Sequence, residues 1–177
     1  VVAFVIAVLP TNIYLWTWRF VDLARHDYPY YLHEDDLAAL RWLEENALPE
    51  AVVLSSITIG QYVPALSGNT AFLAHWAQTV DFYDKRARVA RFFDATTPDE
   101  ERAETVDTFG VDYIFFGLAE RALGAYNPGD TPWLHLVFSA PEVNIYAVQT
   151  ETVDELEQFA EVPPDVRYLE DIQHTQL

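Results

Sequence analysis

The sequence predicts an α/β domain: a small, mostly parallel sheet flanked by helices, with an antiparallel hairpin at one edge and a truncated transmembrane helix in front. Three observations predict it. Short apolar runs, VVL at 52–54, TAFLA at 70–74 and VDYIFF at 111–116, alternate with helical stripes. Leu134–Ser139 and Val143–Val148 flank Ala140-Pro141-Glu142, as hairpin strands flank a turn. Residues 1–18 carry no charge before Arg19.

The N-terminal segment sets the first boundary. Its dense apolar run, Val1 to Leu9, is about half the ~20 residues that a full span requires. Pro10, Thr11 and Asn12 are expected to interrupt it, and Tyr14, Trp16 and Trp18 follow as residues suited to a membrane–water interface. Residues 1–19 are therefore read as the end of a last transmembrane helix and residues 20–34 as a connector. Residues 35–149 are read as a soluble α/β domain and residues 150–177 as an acidic tail. The only basic residues near the span are Arg19 and Arg25, which gives a cytoplasmic placement no support.

Within the domain, Asp35 and Asp36 open a helix whose stripe is Leu37, Leu40, Leu43 and Ala47, ending at Asn46 and Pro49. The strand at 52–54 stops at Ser55-Ser56, and a loop or short helix carrying Gly60, Pro64 and Gly68 leads to the strand at 70–74. Residues 80–93 show a helical face of Val80, Tyr83, Ala87 and Ala90. Thr97-Pro98-Asp99-Glu100 reads as a helix start with Thr97 as N-cap, and Gly110 as its stop. A short helix over 118–123 precedes Gly124. The tail from Glu151 to Asp171 is acidic, with only Arg167 as counterweight.

Composition removes whole classes of function. Hydrophobic residues are 51% and aromatics 15% of 177 residues, enough for a packed core. A formal net charge of -18 argues against nucleic acid or anionic lipid as a partner of the whole surface. No cysteine means no disulfide, no Cys nucleophile and no Cys-based zinc site. No methionine is present, so Val1 is read as an interior position of a longer chain. Neither a GxGxxG, a P-loop nor a GxSxG motif occurs.

Four constellations remain. His33-Glu34-Asp35-Asp36 offers metal-type ligands, but neighbours at a helix start point apart, so capping explains it better and no metal site is assigned. His75-Trp76, with Gln78 and Thr79, follows a strand end; an aromatic face beside hydroxyl-binding groups suits a sugar, and a packed loop with a hydrogen-bonded histidine is the alternative. Lys85, Arg86, Arg88 and Arg91 reverse the local charge and could meet a phosphate or lipid headgroup; a solvated helix face paired with Asp81 and Asp84 is favoured. Glu120-Arg121 follows the strand ending at Phe116, as a buried pair on the ligand side or as surface charge. Ser55-Ser56, His75-Trp76 and Gly117–Glu120 each follow a strand and are expected to meet at one sheet edge. The cleft there would be lined by Gln78, Thr79 and Glu120.

The succession EDDLAALRWLEENALPEAVVLSS, GQYVPALSG, AHWAQT, DKRARVARFF, VDYIFFGLAERALG and VFSAPEVNIYAV resembles a group of bacterial polytopic membrane proteins, the GT-C type, dolichyl-phosphate-mannose-protein mannosyltransferase-like glycosyltransferases. The resemblance covers about residues 30–148. It implies an extracytoplasmic C-terminal domain that helps to position substrate. The parent membrane body would bind a polyprenyl-phosphate sugar, contain the catalytic carboxylate in an early loop, and hold a divalent metal if one is used. No family catalytic residue maps onto this sequence, and no cofactor is expected in it. The implied partners are the bilayer, through the N-terminal helix, and the lipid-linked sugar donor. The alternative is a non-catalytic structural or interaction domain of a membrane protein.

Overall fold

The computed structural model describes residues 2–25 and 31–149, with side chains from residue 8 onward. The middle of the expected connector and the acidic tail lie outside the described residues.

The first helix, α1, is Val2–Leu23. It passes through Pro10 without a break. Proline removes the backbone donor that would reach the Ile6 carbonyl, and one turn on Asn12 donates its side-chain amide to the Val8 carbonyl at 3.0 Å. The helix also extends four residues past the expected boundary at residue 19. Tyr14 stacks on Trp18 and Trp16 lies against Phe20, with all four exposed. No helix among the described residues is long and apolar enough to cross a membrane.

The domain follows as α2 (Glu34–Asn46), β1 (Val52–Leu54), α3 (Ile57–Gly60), α4 (Val63–Leu66), β2 (Thr70–Ala71), α5 (Phe82–Phe92), α6 (Asp99–Phe109), β3 (Val111–Phe116), α7 (Leu118–Arg121), a 3-10 turn (Pro128–Asp130), β4 (Leu134–Ser139) and β5 (Asn144–Val148). The sheet order is β2-β1-β3-β5-β4. β1 runs parallel to β2 and β3, with Val52 opposite Val111, while β5 is antiparallel to both β3 and β4. The predicted class, a mostly parallel sheet with an antiparallel edge hairpin and flanking helices, is the architecture found.

Strand periodicity splits the core in two. Leu54, Ile114, Phe116 and Tyr146 face α5 and α6, meeting Phe82, Val89, Phe92 and Val106. Their sequence neighbours Val53, Phe115 and Ile145 face the other way, onto Ala39, Leu40 and Leu43 of α2 and onto Ile59 and Val63. A strand buried on both faces needs apolar residues throughout, which is why VVL and IFF lack alternation.

Three sequence expectations need correcting. The buried face of α5 is Phe82, Val89 and Phe92, whereas Val80 and Tyr83 are 74% and 80% exposed. Two phenylalanines and a valine bury far more apolar area than the alanines of the competing stripe. β2 pairs over two residues rather than five, although Phe72 and Leu73 remain in the core. The N-cap of α6 is Pro98, not Thr97. Asp94 organises the turn instead, accepting from the Thr96 backbone and hydroxyl at 2.8 Å each. Gly110 closes α6 at φ +58°, the left-handed position expected of a helix stop.

Candidate functional site

Parallel strands β2, β1 and β3 end at a common edge. The chain leaves β1 toward β2 on one side and returns to β3 on the other, so the β1–β3 boundary is the switch point at which open α/β sheets present a crevice. Here Glu120 fills it. Its carboxylate is fully buried and accepts the Ser56 N–H at 2.7 Å and the Gly117 N–H at 2.9 Å. Ser56 is the N-cap of α3 and Gly117 the N-cap of α7, so one carboxylate serves two helix starts. Burial pushes its pKa up, opposed by the donors from Ser56 and Gly117. Asp36 of α2, also buried, closes in from the side: a methyl placed on Gly117 would lie 3.3 Å from both Asp36 Oδ1 and Glu120 Oε2.

The expected cleft is therefore corrected at two of its lining residues, Glu120 and Thr79. Ser55-Ser56 and Gly117–Glu120 do meet, but Glu120 lines no cleft, because its oxygens point inward to backbone donors. The opening lies next to it, between the loops after β1 and β2. A groove of about 510 Å³ is lined by Gln61, Pro64 and Ala65 on one wall and by Ala74, His75 and Gln78 on the other. Gly60 holds the walls together: a Cβ there would sit 1.8 Å from the Leu73 carbonyl oxygen and 3.3 Å from Ser55 Oγ. Thr79 supports the loop from behind, its hydroxyl accepting the Ala74 N–H at 3.0 Å. His75 Nδ1 faces the Ala77 N–H at 3.3 Å, and its ring lies 5.7 Å from that of Trp76. Trp76 is 67% exposed and projects from the loop rather than filling space between sheet and helix. Asp81, where the loop enters α5, adopts φ +54°, sparsely populated for any residue but glycine.

The other singled-out groups are distributed elsewhere. The Arg121 guanidinium lies over the Phe116 ring at 5.0 Å. Of the basic cluster, Arg88 bonds Asp84 at 2.7 Å, Arg91 bonds Glu101 at 2.6 Å, and Lys85 rests over Phe72 and Phe109 at 5.1 and 5.7 Å. Lys85 and Arg86 form no ion pair among the described residues, so half of this cluster, Arg88 and Arg91, is neutralised within the fold. At the start of α2, Asp35 accepts the Glu142 N–H at 2.9 Å and His33 lies 4.0 Å from the Glu142 carboxylate. The His33–Asp36 cluster thus anchors the hairpin turn, and no group that could hold a metal occurs among the described residues.

One polar centre escaped sequence reasoning. Arg102 is 3% exposed, donates to the Phe92 and Asp94 carbonyls and to Asp99, and stacks 3.7 Å over Tyr126. It closes the carboxyl end of α5, whose carbonyls lack helical partners. Its signal was an arginine in the fourth position of an otherwise acidic helix start.

No family model and no curated protein matches the sequence. Among solved structures, the C-terminal globular domain of oligosaccharyltransferase from Archaeoglobus fulgidus superposes with a TM-score of 0.50 and 18% identity, covering 66% of this chain and 98% of that domain. The likeness is one of fold. It spans nearly all of the archaeal domain, so this α/β unit matches a complete globular unit rather than a fragment of one.

Proposed function

We propose that this chain is the extracytoplasmic globular domain of a GT-C type membrane glycosyltransferase. It positions a sugar-bearing substrate while the catalytic loop and the polyprenyl-phosphate donor site lie in other parts of the protein. Residues 1–19 would then end its last transmembrane helix, and the exposed Tyr14, Trp16, Trp18 and Phe20 of α1 suit the bilayer interface. The observation that carries the reading is the open groove at the carboxyl edge, with Trp76 exposed beside His75 and Gln78, on a fold shared with a globular domain of an oligosaccharyltransferase. An exposed indole offers a flat apolar face for a sugar ring, and a glutamine amide can both donate to and accept from vicinal hydroxyls.

The test is made in the intact membrane protein. His75→Ala and Trp76→Ala should each lower transfer from a polyprenyl-phosphate sugar by about tenfold, the value of one or two lost contacts, with unchanged thermal melting. Normal turnover in both folded variants sinks the reading. The second reading, an interaction domain without sugar chemistry, draws support from Leu136 and Val137, exposed on the edge strand β4. It expects normal turnover in those variants and a loss of assembly on Leu136→Lys.

A further inference from the structure

Glu120 costs more than its local role requires. A capping box for α7 needs only the bond to Gly117, three residues away. The second bond, to Ser56, spans 64 positions and does nothing for α7. No cation among the described residues compensates the carboxylate, so its burial is offset by the Ser56 hydroxyl and by backbone donors. What the second bond does fix is the start of α3. From Ser56 the chain runs through α3 to Gln61, Pro64 and Ala65, the first wall of the groove. The far end of α3 is fixed as well, since Gly60 abuts the Leu73 carbonyl on the way to the second wall. The wall is thus pinned at Ser56 by Glu120 and at Gly60 by the β2 loop.

We propose that Glu120 is a positioning residue: from outside the groove, its carboxylate holds the α3–α4 wall at the spacing from His75 and Gln78 that the ligand requires. The proposal rests on the reading that this groove takes a sugar. Among the described residues, only Asp36, from α2, brings a second ionisable side chain to the same point; the loop after β1 contributes Ser55 and Ser56 and no charge.

The test uses amide NMR spectra of the whole 177-residue chain. In the unaltered protein the Ser56 and Gly117 amide protons should titrate together with one midpoint. Glu120→Gln should abolish that shared titration and move the Gln61 and Ala65 amides, leaving those of β4 unmoved, while Asp36→Asn should preserve it. With methyl α-mannoside as probe, shifts at Gln61, Ala65 and Gln78 should report binding, weakened by about tenfold in Glu120→Gln. Separate midpoints for Ser56 and Gly117, or a titration lost in Asp36→Asn and kept in Glu120→Gln, would overturn the proposal. So would a wall whose amides do not respond to Glu120→Gln. If that variant fails to fold, the shared midpoint in the unaltered protein still decides. If the mannoside does not bind even the unaltered protein, it is the sugar reading that falls, and the amide responses alone judge the role of Glu120.

Discussion

The loops after β2 and β3 leave the same sheet edge and do opposite things. The β3 loop turns inward: Gly117 to Glu120 brings a carboxylate into the switch-point crevice and consumes the backbone donors there. The β2 loop turns outward: Ala74 to Asp81 pushes Trp76 into solvent and is braced by its own Thr79. Position at a strand end therefore does not make a ligand site. A crevice already occupied by the protein's own carboxylate offers nothing to a phosphate, and the open groove lies beside it.

The contrast can be broken by substitution. The largest effect should come from Gly60→Ala, which places a methyl against the Leu73 backbone at the junction of the loops. Neither backbone can yield without moving β2, so a loss of about 3 kcal/mol or more is expected in urea unfolding. Next, Glu120→Ala leaves the Ser56 and Gly117 N–H groups buried without acceptors and should cost about 2 kcal/mol. A cost near zero would mean that water enters the crevice, and the loop would not be closed as described.

A subtler sharpening uses pH. The folded pKa of Glu120 is raised by burial, so between the ordinary glutamate value of about 4.3 and that raised value the folded state binds more protons than the unfolded chain. Its contribution to stability is present below the ordinary value and is lost as pH rises through the folded one. The urea midpoint of the unaltered protein should fall relative to Glu120→Gln across that window, and parallel curves would count against a buried ionising carboxylate. Smallest of all, Trp76→Ala should change stability by less than about 0.5 kcal/mol, since the indole is mostly solvated. A larger loss would mean that the outward loop is braced by Trp76 after all.

The same contrast shows where sequence reasoning reaches its limit. Strand positions are legible because VVL and VDYIFF are β-rich runs bounded by helix stops and turn residues, and the hairpin because Pro141 sits between two such runs. The face of α5 is not, because the alanine-rich stripe and the phenylalanine stripe have the same helical period and only packing chooses between them. That the loops after β1 and β3 meet follows from the rule for parallel sheets. Whether Glu120 points in or out does not, since a glutamate after a strand reads alike in both cases. The one clue was its distance from Gly117, the cap-to-third-residue spacing of a capping box. The basic cluster was legible in part for a related reason: the favoured pairing with Asp84 was visible in sequence, but Glu101 of α6 was not.

The sheet order also bears on how the domain is made. β4 and β5 are joined by a few residues and can pair as soon as both exist, but β1 pairs with β3 through Val52 and Val111. A ribosome adding roughly 5–20 residues per second needs on the order of several seconds to travel between them. Through that interval VVL waits with its β3 edge unclaimed, and its opposite edge is covered only by the two residues of β2. Of the five strands, this one stays exposed longest on the nascent chain.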